Sequence, residues 1–243
     1  MGKKFVIPVI NYSILLTVFI LFIMLTPIDR FTVFKKSPAI DCYVASLQAY
    51  YSQDLTEADL DFPRFDHRYP FNSPQQEPLG FSAFGWATST RAAYEMEFPS
   101  RLALFLEKLG AGQLLLVHWL KQDLLSDFPF ESPSKRERFK SFGAINGDSI
   151  GYSFELMDFG EIFDLFLFHA NHDTPGCFLF SSTPDMFLGM NLCDDGNIHL
   201  THFQKDEDYI RKCAESFGFL TGDPALLCRT ISIHLLKGSS CTK

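Results

Sequence analysis

The chain has 243 residues, 47% of them hydrophobic and 15% aromatic, enough to bury one core with some chain to spare. Its formal charge is −8 and its pI is near 5.3, a balance that repels phosphate backbones and argues against nucleic-acid binding. Phenylalanine is unusually common, at 27 residues, which points to a Phe-rich core or, for some of them, an apolar contact surface.

The first element is "FVIPVINYSILLTVFILFIML", Phe5 to Leu25. It is uncharged, follows Lys3 and Lys4, and as a helix rising about 1.5 Å per residue it spans a bilayer core of about 30 Å. No small-residue cleavage site follows at the right distance, so an uncleaved transmembrane anchor is expected over residues 1–26. Lys3 and Lys4 on one side nearly balance Arg30, Lys35 and Lys36 on the other, leaving orientation open. Translation from Met24 would instead leave a cytoplasmic protein without the anchor.

Residues 27–84 read as linker and Pro-rich irregular chain, with one short amphipathic helix at "AIDCYVASLQAYYSQ". The folded domain is expected over residues 85–243. "WATSTRAAYEM" and "FPSRLALFLEKLGAG" read as two helices, with Pro99 in a first turn and Gly110 as a stop. "QLLLVHWL" is a buried strand or a short helix, and "SKRERFK" a basic loop. "SIGYSFEL" alternates, setting Ile150, Tyr152, Phe154 and Leu156 on one face. "IFDLFLFHA", "GCFLFS", "DMFLGMNL" and "NIHLTHF" then read as strands, with a tight turn at "DDGN". "DEDYIRKCAESFGFL" is a helix with Tyr209, Ile210, Cys213, Phe217 and Leu220 on one stripe, and "DPALLCRTISIHLL" a last helix. Helices, then strands, then helices predict an α+β domain with a mostly antiparallel sheet.

"SFGAINGDSIGYSF" (Ser141 to Phe154) holds three glycines but no lysine for phosphates, and it opens a strand rather than a helix. It reads as a hairpin turn with Gly143 and Gly147 turning and Gly151 packing. His169, His172, Asp173 and Cys177 resemble a metal cluster, but no fourth ligand has the spacing, so no metal is expected. His199 and His202 are three apart on a strand and face opposite ways. His118 lies in an apolar run. No G-x-S-x-G, HExxH or similar signature appears, so no catalytic residue and no cofactor are expected. The six cysteines (Cys42, Cys177, Cys193, Cys213, Cys228 and Cys241) form no CxxC pair. They are buried thiols in a reducing compartment or permit three bridges in an oxidising one.

Charge is unevenly spread. Between Ala144 and Gln204 there is no Lys or Arg, and the carboxylates gather beside the basic "SKRERFK". Asp148, Asp158, Glu161, Asp173, Asp194 and Asp195 fall in or beside predicted turns. Glu155 falls between Phe154 and Leu156 and projects from the opposite face of their strand. Together they make a candidate acidic face for a basic protein partner, since complementary charge speeds encounter and selects the partner.

"FPSRLALFLEKLGAGQL" resembles the proline–helix–FL–glycine opening of the SUKH superfamily, proteins related to the yeast cell-wall assembly regulator. "SFGAINGDSIGYSF" is similar to that family's "fG..GgD..gy" strand start. "IHLTHFQKDEDYIRKCAESFGFL" resembles its closing strand and helix, with Ser216, Phe217, Phe219 and Leu220 in register. The resemblance covers residues 95–222 and departs in the long segment from Met157 to Gly176, the Pro-rich region and the anchor. It implies a bacterial immunity protein that blocks a cognate toxin, often a nuclease, without catalysis. The expectation is therefore a non-catalytic protein-binding domain, membrane-attached through residues 5–25. Its rivals are a membrane-anchored extracytoplasmic structural or sensing protein, and an enzyme that would lose activity on mutating His169 or His172.

Overall fold

Strands whose neighbouring residues are both large and apolar bury both faces, and the strand Cys177–Thr183 is of this kind, with Phe178, Leu179 and Phe180 each no more than 1% exposed. The computed structural model describes residues 25–51, 80–87, 90–125, 133–168, 177–183, 186–192, 196–202 and 206–222. Their strands are β1 (Thr26–Asp29), β2 (Gly80–Gly85), β3 (Gln113–His118), β4 (Ile150–Glu155), β5 (Cys177–Thr183), β6 (Met186–Leu192), β7 (Ile198–His202) and β8 (Leu220–Gly222). All pair antiparallel in one sheet, in the order β1-β4-β3-β5-β6-β7-β2-β8. The helices are α1 (Arg30–Lys36), α2 (Pro38–Tyr51), α3 (Arg91–Lys108), α4 (Pro133–Ser141), α5 (Phe159–Phe168) and α6 (Glu207–Ser216), with a 3-10 turn at Leu156–Asp158. The expected α+β class with an antiparallel sheet is the observed one.

Alternation divides each strand between two cores. On one face Leu114, Leu116, Tyr152, Phe154, Leu188 and Leu200 meet Phe98, Leu102, Phe105, Phe159, Phe163 and Ile210 from α3, α5 and α6. Aromatic edges tie these layers, as where Phe84 of β2 meets Phe105 of α3 with ring centroids 5.5 Å apart. On the other face Val117, Phe178 and Phe180 lie under Val33, Phe34, Ile40 and Val44 of α1 and α2.

That second layer corrects the expected linker. Residues 26–51 form β1, α1 and α2, and Leu25 packs in the core, so the fold takes in chain expected to be linker. Leu25 is 2% exposed, and its N–H donates to the Phe142 carbonyl at 2.7 Å. Arg30 is 1% exposed, donates to the His118 carbonyl and lies 5.1 Å from the Phe34 ring centre. Gln48 Nε2 donates to the Trp119 carbonyl at 2.6 Å. Polar side chains of α1 and α2 thus satisfy the carbonyls where β3 ends. The apolar spacing of α2 was legible; its role as a layer of the fold was not, because a single helix does not say which sheet it covers.

Four further expectations change. The two helices about Pro99 are one, α3, with Pro99 inside it and Thr90 Oγ1 capping its start by accepting from Ala93 N–H at 3.1 Å. One stripe of Tyr94, Phe98, Leu102, Phe105 and Leu106 facing the sheet offsets the hydrogen bond that Pro99 removes. The basic "SKRERFK" is helix α4, held by buried Phe139 against Tyr152 at 5.3 Å between ring centroids. "IFDLFLFHA" is not a strand. Residues up to Phe168 belong to α5, because Phe159, Ile162 and Phe163 meet the core at helical spacing. The α6 stripe stops early: Tyr209 and Leu220 are each 43% exposed, and the helix ends at Ser216 with Gly218 at φ +86°.

Residues 1–24, 52–79 and 223–243 lie outside the described residues, and with them the body of the expected anchor, most of the Pro-rich region and the last predicted helix. Among the described residues no helix is long and apolar enough to cross a membrane.

Candidate protein-contact site

The loop from Phe142 to Ser149 joins helix α4 to β4, so it is a turn but not a hairpin between strands. Gly143 and Gly147 take φ of +105° and +153°, as a turn requires. Gly151 packs within β4, where an added Cβ would come 2.9 Å from the Leu116 carbonyl oxygen. None of this cradles an anion.

The carboxylates instead gather where β4 passes into α5. The Leu156 N–H donates to the Gly112 carbonyl at 2.8 Å, which pins the start of the 3-10 turn to the loop before β3. Leu156, Phe159 and Ile162 are buried and form one ridge of this turn and helix. A repeat near three residues puts Glu155, Asp158 and Glu161 on a second ridge, and Met157 and Gly160 on a third. Met157 is 83% exposed, the most exposed large apolar side chain among the described residues.

Each carboxylate is held differently. Glu155 Oε1 accepts from Gln113 Nε2 at 3.3 Å across the β3–β4 pair. Glu161 Oε2 and the Glu161 carbonyl accept from Arg138 Nη2 of α4, at 2.8 and 3.0 Å. Burial, and then the charge of Glu155, push the Asp158 carboxyl above the ordinary aspartate range. Two like charges one turn apart, backed by apolar packing, make a corner that gains from a cation brought to it.

The expected acidic face is only partly assembled. The charge of Glu155 acts on Asp158, Glu161 is held by Arg138, and Glu155 is exposed on the side of its strand away from Phe154 and Leu156, as its position predicts. Asp148 is exposed at the other end of β4, about 17 Å away at roughly 3.4 Å per residue, so it cannot share one small contact with them. Asp173, Asp194 and Asp195 lie outside the described residues. Sequence reasoning missed Met157 and Arg138. A methionine between two acids at a strand end was the available signal for the first. Nothing local pointed to Arg138, which reaches Glu161 from another helix.

The histidines divide as their strand positions require. His202 is 0% exposed within the sheet–helix core, while His199 faces the other side. His118 is buried, and its Nδ1 accepts from Leu120 N–H at 3.0 Å in the turn after β3. His169, His172 and Asp173 lie outside the described residues, and among those described no three metal-ligating side chains come together. Cys213 is buried and Cys42 half-buried. No family model, no curated protein and no solved structure matches this chain.

Proposed function

We propose that the chain is a non-catalytic protein-binding module that neutralises a basic partner, most specifically a bacterial toxin of the nuclease kind. The observation that carries this reading is the action of the Glu155 charge on Asp158 at a turn pinned by the Leu156–Gly112 hydrogen bond, with Glu161 one turn on and held by Arg138. A nuclease needs a basic surface to hold nucleic acid, and a fixed acidic corner occupies such a surface. The apolar run that begins at Phe5 attaches the domain to a membrane, and no cofactor enters the interaction.

The test is a rescue screen. A bacterial genomic library is searched for open reading frames whose expression kills a host and whose toxicity this chain suppresses. At least one suppressed clone encoding a basic protein is expected. The triple variant E155Q/D158N/E161Q should protect at least tenfold less well while folding normally. A screen without a suppressed clone, or equal protection by the triple variant, overturns the proposal.

A further inference from the structure

Strand β7 carries a polar strip on the face of the sheet that α1 and α2 cover at β3 and β5. Ile198 and Leu200 enter the core on the other face, so alternation turns Asn197, His199 and Thr201 to this one. On β5 the same face is made of Phe178 and Phe180. The change from rings to small and polar side chains begins on β6, where Gly189 stands opposite both Phe180 and Thr201. With no side chain at Gly189 in the way, Tyr43 of α2 meets the Phe178 and Phe180 rings at 5.4 and 5.9 Å between centroids and still bonds its hydroxyl to Thr201 Oγ1 at 3.3 Å. One row along, His199 stands opposite Asn191 on β6 and Ala83 on β2. Asn191, His199 and Tyr43 are half-buried, so the middle of the strip is open to solvent.

Asn197 closes the strip. It is 0% exposed, and neither its Oδ1 nor its Nδ2 has a hydrogen-bond partner. A buried amide in that state is costly, and it holds an acceptor and a donor side by side. A ligand that satisfies both presents a donor beside an acceptor on one edge. A trans peptide does not, because its N–H and C=O point in opposite directions. The edge of a nucleobase does. Strands β2, β5, β6 and β7 contain no Asp, Glu, Lys or Arg, so nothing on them offsets a charge on the ligand. From Asn197 to Thr201 the strip runs about 14 Å at roughly 3.4 Å per residue, longer than a base alone. Its far end offers the Tyr43 and Thr201 hydroxyls, which both donate and accept, as sugar hydroxyls require.

We propose that this strip binds an uncharged nucleoside. The base edge pairs with the Asn197 amide, the ring lies beside His199 and Asn191, and the sugar reaches toward Tyr43 and Thr201. A nucleotide is rejected because its phosphate would meet no cation on these strands. The site is independent of the acidic corner, which lies where β4 passes into α5.

The full chain, purified in detergent, is dialysed to equilibrium against radiolabelled uridine and adenosine, and against their 5′-monophosphates and glucose. At least one nucleoside should bind saturably, one molecule per chain, and about tenfold or more tighter than its monophosphate. Asn197→Leu is close in volume and should abolish this binding while raising the Tm of the ligand-free chain, because it removes an amide buried without partners. Asn191→Ala, at a half-buried position, should weaken binding several-fold with Tm unchanged. Absence of saturable nucleoside binding overturns the proposal, and so does binding that survives Asn197→Leu. Glucose bound as tightly as the nucleoside overturns the base-edge assignment, and equal binding of the monophosphate overturns the selection for an uncharged ligand. Should Asn197→Leu fail to fold, Asn191→Ala carries the test, and unchanged affinity there overturns the site.

Discussion

At the scale of single residues, the most restrictive position is Gly143. Its φ of +105° suits glycine alone, and a methyl group there would meet the Leu25 carbonyl at 2.7 Å. Gly143→Ala should cost about 2–3 kcal/mol, read as a lower urea midpoint with unchanged slope. Asp158 makes a prediction of opposite sign. Its folded pKa is raised, so the folded state resists its ionisation; the resulting penalty is absent below the unfolded value and complete above the folded one. Asp158→Asn should therefore raise Tm at neutral pH and leave it unchanged near about pH 3. A variant no more stable at neutral pH would show that the carboxylate is fully solvated. The turn roles of Gly143 and Gly147 were legible because a glycine-rich stretch without a lysine has few other uses. The raised Asp158 was not, since it depends on apolar residues brought up from α5 and on how closely Glu155 approaches.

Elements show where local pattern suffices. Helix α6 begins at a cap that its sequence announces: Asp206 Oδ1 accepts from Asp208 N–H at 3.0 Å. Asp206→Ala should lower stability by about 1 kcal/mol in thermal or urea unfolding. The short apolar strands β5, β6 and β7 were readable because each is bounded by turn residues, and Gly196 of the expected "DDGN" turn takes a positive φ of +79°. Helix α5 was misread for a physical reason. In "IFDLFLF" apolar residues occur at nearly every position, and such a run fits a two-sided strand as well as a buried helix. Only its packing on α3 and α4 selects the helix, which in turn creates the acidic ridge. The α4 misreading is similar: a polar stretch with one phenylalanine is a helix because Phe139 finds Tyr152.

On the scale of the whole molecule, the decisive position is Leu25. A chain starting at Met24 keeps every described strand and helix, so it should fold in detergent-free buffer with a single cooperative transition. In that chain Leu25→Ala should cost about 2–4 kcal/mol, because a buried methyl cluster is lost from the core. No change on this substitution would show that Leu25 contributes nothing to the core. What the sequence by itself determined was the α+β class, the antiparallel β5–β6–β7 run and the excess of carboxylates after residue 144. These follow from side-chain period and composition, which are local. The tertiary structure alone decided that residues 26–51 are a covering layer rather than a linker, and that α5 is a helix. It also decided that Asp148 stands apart from Glu155, Asp158 and Glu161. Each of those outcomes depends on partners far away in sequence: Arg30 with the end of β3, Phe159 and Phe163 with α3, Glu161 with Arg138. A pattern read along one stretch of chain holds no record of the surface that will be packed against it.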